Sequence, residues 1–222
     1  MLKYFSNIYN LYWKHKSFLP KKQYSCFGED LFVKDFFQND NEGYYVDVGS
    51  YHPFFWNNTY LLYKKNWNGI NIDANPLSTE LFNIARKDDY NFNLAVTNKK
   101  KNKIKLFYRR KMNVLNTTDE SFAKRNFPNG YESREIECLS LNNILEKTKF
   151  KNKIIDFLNV DVENTEKDVL ESLNFDIYKP RLICVEIHSE NEESFKNNPT
   201  FKFLDNKGYK IVWKKEYSYI FS

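Results

Sequence analysis

"YYVDVGSYHP", residues 44–53, decides the fold: a run of strand-forming residues ends on an acid, Asp47, and then a glycine, Gly49, where the chain must turn. A carboxylate is costly to bury unless something pairs with it, so Asp47 is either turn chemistry or part of a binding site. Outward from that turn, apolar runs at 70–72, 92–96, 155–160 and 182–187 also read as strands. Between them, "NNTYLLYKK" (57–65) and "PLSTELFNIARK" (76–87) have helical spacing, the second with Pro76 suited to a first turn and Ser78 or Thr79 as caps. "NTEKDVLESL" (164–173) places Thr165 and Asp168 at capping-box spacing. Strand followed by helix, repeated, predicts an α/β fold with a mostly parallel sheet covered by helices on both faces.

The alternation loosens over residues 97–150. "KIKLFY" and "SREIECLSL" read as strands, and "LSLNNILEK" leads into a short helix. The polar, aromatic stretch at 109–131 is predicted to be a flap over a ligand, since long irregular insertions in compact sheets are usually functional or disordered. "KGYKIVWKKEYSYIFS" (207–222) reads as a C-terminal hairpin. At the other end, Leu2, Phe5, Tyr9 and Tyr12 follow a helical period with Lys3, Lys14 and Lys16 among them. That pattern suits a helical extension over residues 1–25 packed on its own domain or on a second copy in a homodimer, or a helix lying on a membrane surface. The whole chain, 1–222, is read as a single domain.

The net charge is +5, from 34 Lys and Arg against 29 Asp and Glu, with the lysines scattered among acids, so no nucleic-acid partner is expected. The three cysteines are far apart and form no C-x-x-C pair, which argues for a reducing compartment and against a disulfide framework or zinc knuckle. No apolar run reaches the ~18 residues of a membrane span, and the N-terminus is too broken by Asn and Lys for a signal peptide. A cytoplasmic location, or a peripheral one at the inner membrane face, is the expectation.

Ligands of open parallel sheets collect at the carboxyl ends of the strands, and here those ends are acidic: Asp47-Val48-Gly49-Ser50, Asp73-Ala74-Asn75-Pro76, Asp161-Val162-Glu163-Asn164 and Glu186-Ile187-His188. An acid ending the second strand can accept hydrogen bonds from both ribose hydroxyls, and a glycine turn lets backbone approach a bound group. The single glycine, followed by Tyr51, His52, Pro53, Phe54, Phe55 and Trp56, lacks the G-x-G-x-x-G turn that seats a pyrophosphate. A nucleoside without phosphates, of which S-adenosylmethionine is the common one, suits the pattern better, although D-x-G also occurs as plain turn chemistry.

Residues 44–76, "YYVDVGSYHPFFWNNTYLLYKKNWNGINIDANP", resemble the signature region of FkbM-type methyltransferases. "NFNLAVTN" (91–98), "NVLNTTDESF" (113–122) and the stretch 155–188 resemble the blocks that follow it, in the same order. The resemblance implies a Rossmann-like class I methyltransferase fold, with a mostly parallel seven-stranded sheet and a C-terminal antiparallel hairpin. It also implies S-adenosylmethionine-dependent methyl transfer to oxygen, often of a sugar. Asn57 stands where the family usually has Ser, and Asn164 where it usually has Gly.

On that footing Asp47, Gly49, Ser50 and Tyr51 are expected at the methionine and ribose end of the cofactor, and Asp73 with Ala74 at the ribose. Asn93 and Ala95 would border the adenine, unless Asn93 satisfies a loop backbone, and Glu29 and Asp30 would lie near the cofactor or open a helix. Side chains two apart on a strand share a face, so Asp161 pairs with Glu163 and Glu186 with His188 around one pocket mouth. Either His188 or Asp161 is the candidate proton acceptor. No metal ligand is expected, though a divalent metal on these same atoms is chemically allowed. His52 either faces the acceptor or serves the turn. Trp56, Trp67 and Tyr60 are core or sugar-stacking residues, with core favoured. Arg109, Arg110, Lys111, Lys124 and Arg125 in the flap hint at an anionic small-molecule or glycan acceptor such as a sugar nucleotide. The competing functions are methylation of a nitrogen or phosphoramidate acceptor, a nicotinamide oxidoreductase, which the single glycine disfavours, and a non-catalytic nucleoside- or glycan-binding module.

Overall fold

Tyr44, Val46 and Val48 alternate with Tyr45 along the first strand, and that period of two sorts them into separate cores. The first three join Ile70, Ile72, Leu158, Val160, Ile183 and Val185 on one face of a sheet. Tyr45 joins Trp67, Phe157, Leu182 and Ile220 on the other. Both faces are therefore covered, which is why the strands read as near-continuous apolar runs. The computed structural model describes every residue except Met1, Pro20 and Lys111, and the side chain of Leu2 also lies outside the described set.

The strands are β1 (Tyr44–Val48), β2 (Asn68–Asp73), β3 (Tyr90–Asn93), β4 (Ala95–Val96), β5 (Lys103–Tyr108), β6 (Glu132–Leu139), β7 (Phe157–Val160), β8 (Leu182–Glu186), β9 (Ile211–Lys215) and β10 (Ser218–Phe221). Seven form one sheet in the order β3-β2-β1-β7-β8-β10-β9, and β4-β6-β5 form a small second sheet. Pairings from β3 to β8 are parallel, and β10 runs antiparallel to both β8 and β9. This is the sheet and terminal hairpin expected from the sequence. The order reverses beside β1, so the tips of β1, β2, β7 and β8 meet at one edge, where such sheets bind ligands.

The helices are α1 (Leu2–Ile8), α2 (Glu29–Phe36), α3 (Tyr60–Lys64), α4 (Pro76–Ala85), α5 (Glu120–Asn126), α6 (Leu141–Leu145), α7 (Glu166–Glu171), α8 (Phe175–Tyr178), α9 (Glu192–Asn197) and α10 (Pro199–Asn206). Several local expectations change. The run 92–96 is two strands, because Ala95 leaves the main sheet to pair with Cys138 of β6. Helix α4 starts on Pro76, but its cap is Asn75, whose side chain accepts from Leu77 N, and not Ser78 or Thr79. Thr165 makes no capping bond; the Glu166 carboxylate instead folds back to accept from Val162 N and Asn164 N.

At the N-terminus, α1 continues as a π-helical turn at Tyr9–Trp13. The wider turn shifts the apolar face. Leu11 is fully buried against Phe54, Leu81 and Met112, while Phe5 and Tyr9 are exposed on this chain. Among the described residues, no helix is long and apolar enough to cross a membrane.

Candidate functional site

Gly49 turns the chain out of β1 with φ +83°, and a Cβ there would lie 1.7 Å from the Asp161 carbonyl oxygen. Only glycine fits that approach. Gly49 N donates to Ile72 O and Asp161 N to Val48 O, both at 2.9 Å, so the tips of β1, β2 and β7 are tied together.

Under the turn lies Asp47, 1% exposed. One oxygen accepts from Asn159 at 2.8 Å and the other from Thr59 Oγ1 at 3.0 Å and Asn57 at 3.2 Å. Arg86, buried completely, donates to Asn57 Oδ1 at 2.7 Å, Thr59 Oγ1 at 2.8 Å and Pro53 O at 2.5 Å. Burial pushes the Asp47 carboxyl up, while Asn159, the Arg86 charge, Thr59 and Asn57 hold it back. Asp47 borders the cavity described below, but its hydrogen bonds are committed to protein, so it supports the turn. Nothing in the sequence marked Arg86, Thr59 or Asn159. Asn57 bridges acid and cation because an amide both donates and accepts.

The Asp73 oxygens accept from Tyr51 N at 2.8 Å and Asn75 N at 2.6 Å, and the nearby Ser78 side chain also favours the ionised form; a carboxylate's remaining lone pairs are open to a ligand's hydroxyls. Burial raises its pKa to about 6 against those bonds. A narrow cleft of about 70 Å³ runs past it, walled by Asp73, Ala74 and Ala95 on the sheet side and by Val114, Asn116 and Thr118 of the 109–131 segment opposite. Asn93 does not line this cleft. It is exposed and donates to the Asp73 main-chain oxygen at 2.9 Å, because register places it across from Asp73 on β3.

Gly49, Tyr51, Val114 and Asp161 also border a larger cavity of about 490 Å³. Ser50, Glu29, Asp161, Glu163, Glu186 and His188 line it, so β1, β7, β8 and the α2 start contribute to one chamber. Glu29 is held by Phe27 N at 2.8 Å and Ser218 Oγ at 2.6 Å. Asp30 lines neither cavity. Fully buried, it accepts from Tyr24 N at 2.7 Å and Ser25 Oγ at 2.6 Å and shapes the chain before α2.

The acids of β7 and β8 are strongly perturbed. Asp161 presents its surface to the cavity while protein crowds it from behind, and burial first, then Glu186 and Glu163, push its carboxyl far up. Burial, Glu186 and Glu166 likewise raise Glu163 to about 9. His188 Nε2 lies 3.2 Å from Glu186 Oε2, and that hydrogen bond raises the imidazole's pKa.

His52 is not part of this group. Its Nδ1 accepts from Phe54 N and Phe55 N at 3.1 Å, and its Nε2 bonds Asn10 O at 3.0 Å. Desolvation lowers it to about 3, so it is a neutral strut tying the turn to the N-terminal segment. Trp67 is core at 1% exposure, whereas Trp56, at φ +48°, is 47% exposed at the cavity rim near Tyr217 and Ser218. Of the flap cations, Arg125 lines the cavity and Arg109 and Arg110 open onto a separate groove beside Glu80; Lys124 pairs with Glu120, and Lys111 lies outside the described residues. Asn164 has φ +82°, which explains why glycine suits this position and why asparagine, tolerant of left-handed backbone, replaces it.

A family model described as the methyltransferase FkbM domain matches residues 47–211. No curated protein gives a significant match.

Proposed function

The chain belongs to the FkbM methyltransferase family, whose members are S-adenosylmethionine-dependent enzymes of class I fold, and on that premise we propose that it O-methylates a sugar. The substrate is a sugar or sugar-linked group of a cell-surface polysaccharide or of its nucleotide-linked precursor. The observation that carries this reading is the aromatic rim. Trp56 is held in a left-handed conformation that is strained for a bulky residue, its ring is stacked on Phe55, and it borders the cavity together with Tyr217 and the acids of β7 and β8. A sugar's C–H face stacks on such rings while its hydroxyls meet the carboxylates below.

In this reading the adenosine occupies the narrow cleft with its ribose on Asp73, next to Ala74 and Ala95. The methionine end passes Gly49, Ser50 and Tyr51 toward Glu29. The cleft is too small for a nucleoside until the 113–118 segment lifts, so 109–131 acts as a flap. Arg125 on that flap attracts an anionic acceptor. In the transfer itself an acceptor oxygen forms a bond to the methyl carbon as the carbon–sulfur bond breaks and its electron pair stays on sulfur. The hydroxyl proton passes to the ionised Asp161 carboxylate or to neutral His188; both pKa values are raised, so transfer should climb with pH as these groups lose their own protons. Phe5, Tyr9 and Trp13, four residues apart and exposed beside Lys3, Lys14 and Lys16, suit contact with a membrane face where lipid-linked glycans are assembled.

The test is methyl transfer from labelled S-adenosylmethionine to a panel of sugar nucleotides and free glycans, read by mass. One added methyl on a sugar hydroxyl is expected, with Trp56→Ala raising KM on the order of tenfold at nearly unchanged kcat. Methylation of a nitrogen, or indifference to Trp56→Ala, would contradict the sugar reading.

A further inference from the structure

Two carboxylates at the tips of β7 and β8 lack compensating donors, and His188 stands beside them. Glu163 is 8% exposed and its carboxylate has no hydrogen-bond partner among the described residues, yet it faces the cavity. Glu186 Oε2 is buried with no hydrogen-bond partner beyond the approach of His188 Nε2 at 3.2 Å. One ligand atom from each of Glu163, Glu186 and His188 lies within 4.8 Å of the other two. Two other acids of the chamber differ, since the side chains of Asp47 and Glu29 are each held by two or more donors, while Asp161, which has no side-chain donor among the described residues, is exposed to the cavity. A buried carboxylate without a donor or cation costs several kcal/mol, roughly, so such a group is expected to meet a cationic ligand.

We infer that Glu163, Glu186 and His188 Nε2 form a binding site for a divalent first-row cation, Mn²⁺ or Zn²⁺, at the floor of the acceptor chamber. Ligands at about 2.1 Å from a common ion stand roughly 3.0–3.6 Å apart, and the Glu186–His188 separation of 3.2 Å is already one such edge. Two carboxylates and an imidazole favour these borderline ions over Mg²⁺ or Ca²⁺, which take all-oxygen sets. The remaining coordination positions face the cavity, where they would take an acceptor hydroxyl or water. With His188 engaged, Asp161 in its ionised form is left to receive the hydroxyl proton. This last step rests on the methyl-transfer reading, whereas ion binding does not.

The probe is MnCl₂ titrated into metal-stripped full-length protein without S-adenosylmethionine, followed by the loss of the free-Mn²⁺ paramagnetic resonance signal. One ion per chain is expected, with Glu163→Gln and His188→Ala each weakening binding on the order of 100-fold. Binding of S-adenosylhomocysteine, whose ribose is read onto Asp73 in the narrow cleft, reports whether each variant is folded. Failure of wild-type protein to bind Mn²⁺ or Zn²⁺, or binding indifferent to both substitutions, overturns the inference. It is also overturned if no ion binds and Glu163→Gln weakens S-adenosylmethionine but not S-adenosylhomocysteine, since the acids would then serve the sulfonium charge. Absence of any adenosyl-ligand binding would count against the methyl-transfer reading and leave the ion titration intact.

Discussion

Arg86→Met is expected to lower the unfolding free energy by about 3–5 kcal/mol, read from the urea midpoint, the usual cost of removing one partner from a buried charge network. The guanidinium is fully buried and reaches Asn57, Thr59 and Pro53, and through the first two it compensates Asp47, which is itself 1% exposed. Without it, the carboxylate beneath the turn keeps its amide and hydroxyl donors but loses the nearby positive charge that favours its ionised form. Arg86→Lys should recover less than half of the loss, because an ammonium cannot span these acceptors as the planar fork does. In a double-mutant cycle, Asp47→Asn should cost less beside Arg86→Met than alone. A loss below about 1 kcal/mol for Arg86→Met would show that the network does not hold the turn.

Gly49→Ala is the second large effect. The new methyl would meet the Asp161 carbonyl oxygen at 1.7 Å, and that atom is backbone at the end of β7, so one strand tip must move. The left-handed conformation adds its own cost for alanine. Together, strain and overpacking are expected to cost about 2–4 kcal/mol and to displace Asp161 from the chamber. Methyl transfer should fall on the order of 100-fold or more even where the variant remains folded, since misplacement by about an ångström is enough to do so. Wild-type turnover in Gly49→Ala would mean that this turn does not position the reacting groups.

The sheet was legible because its strands are buried on both faces, so Val46, Ile70, Leu158 and Ile183 declare themselves as apolar runs whatever surrounds them. Strand-end acids were legible for a related reason: a carboxylate after such a run needs a partner. The partners themselves were not legible. Arg86 ends an amphipathic helix where a basic residue is ordinary, and only tertiary packing turns it inward. Motif position leaves Asn93 either bordering the adenine or satisfying a loop backbone, and Asp30 either a cofactor neighbour or a helix-opening acid; the latter alternative describes each. Register across β2 and β3 exposes Asn93, and the Tyr24–Ser25 contacts bury Asp30. The burial of Leu11 was not legible because a π turn has no periodic signature in so short a segment.

The tips of β1 and β2 are proposed to hold an adenosyl ligand through Asp73. Isothermal titration with S-adenosylhomocysteine tests it most directly. Wild-type protein is expected to bind at micromolar concentration and Asp73→Ala about 100-fold more weakly, the loss of charge-assisted bonds to two hydroxyls. Free Asp73 titrates near 6, and a ribose that donates to its carboxylate lowers that value. Binding near pH 6 should therefore release a proton, with affinity full above pH 6 and falling roughly tenfold per unit below it. No binding by the wild-type protein, or equal binding by Asp73→Ala, would contradict the claim.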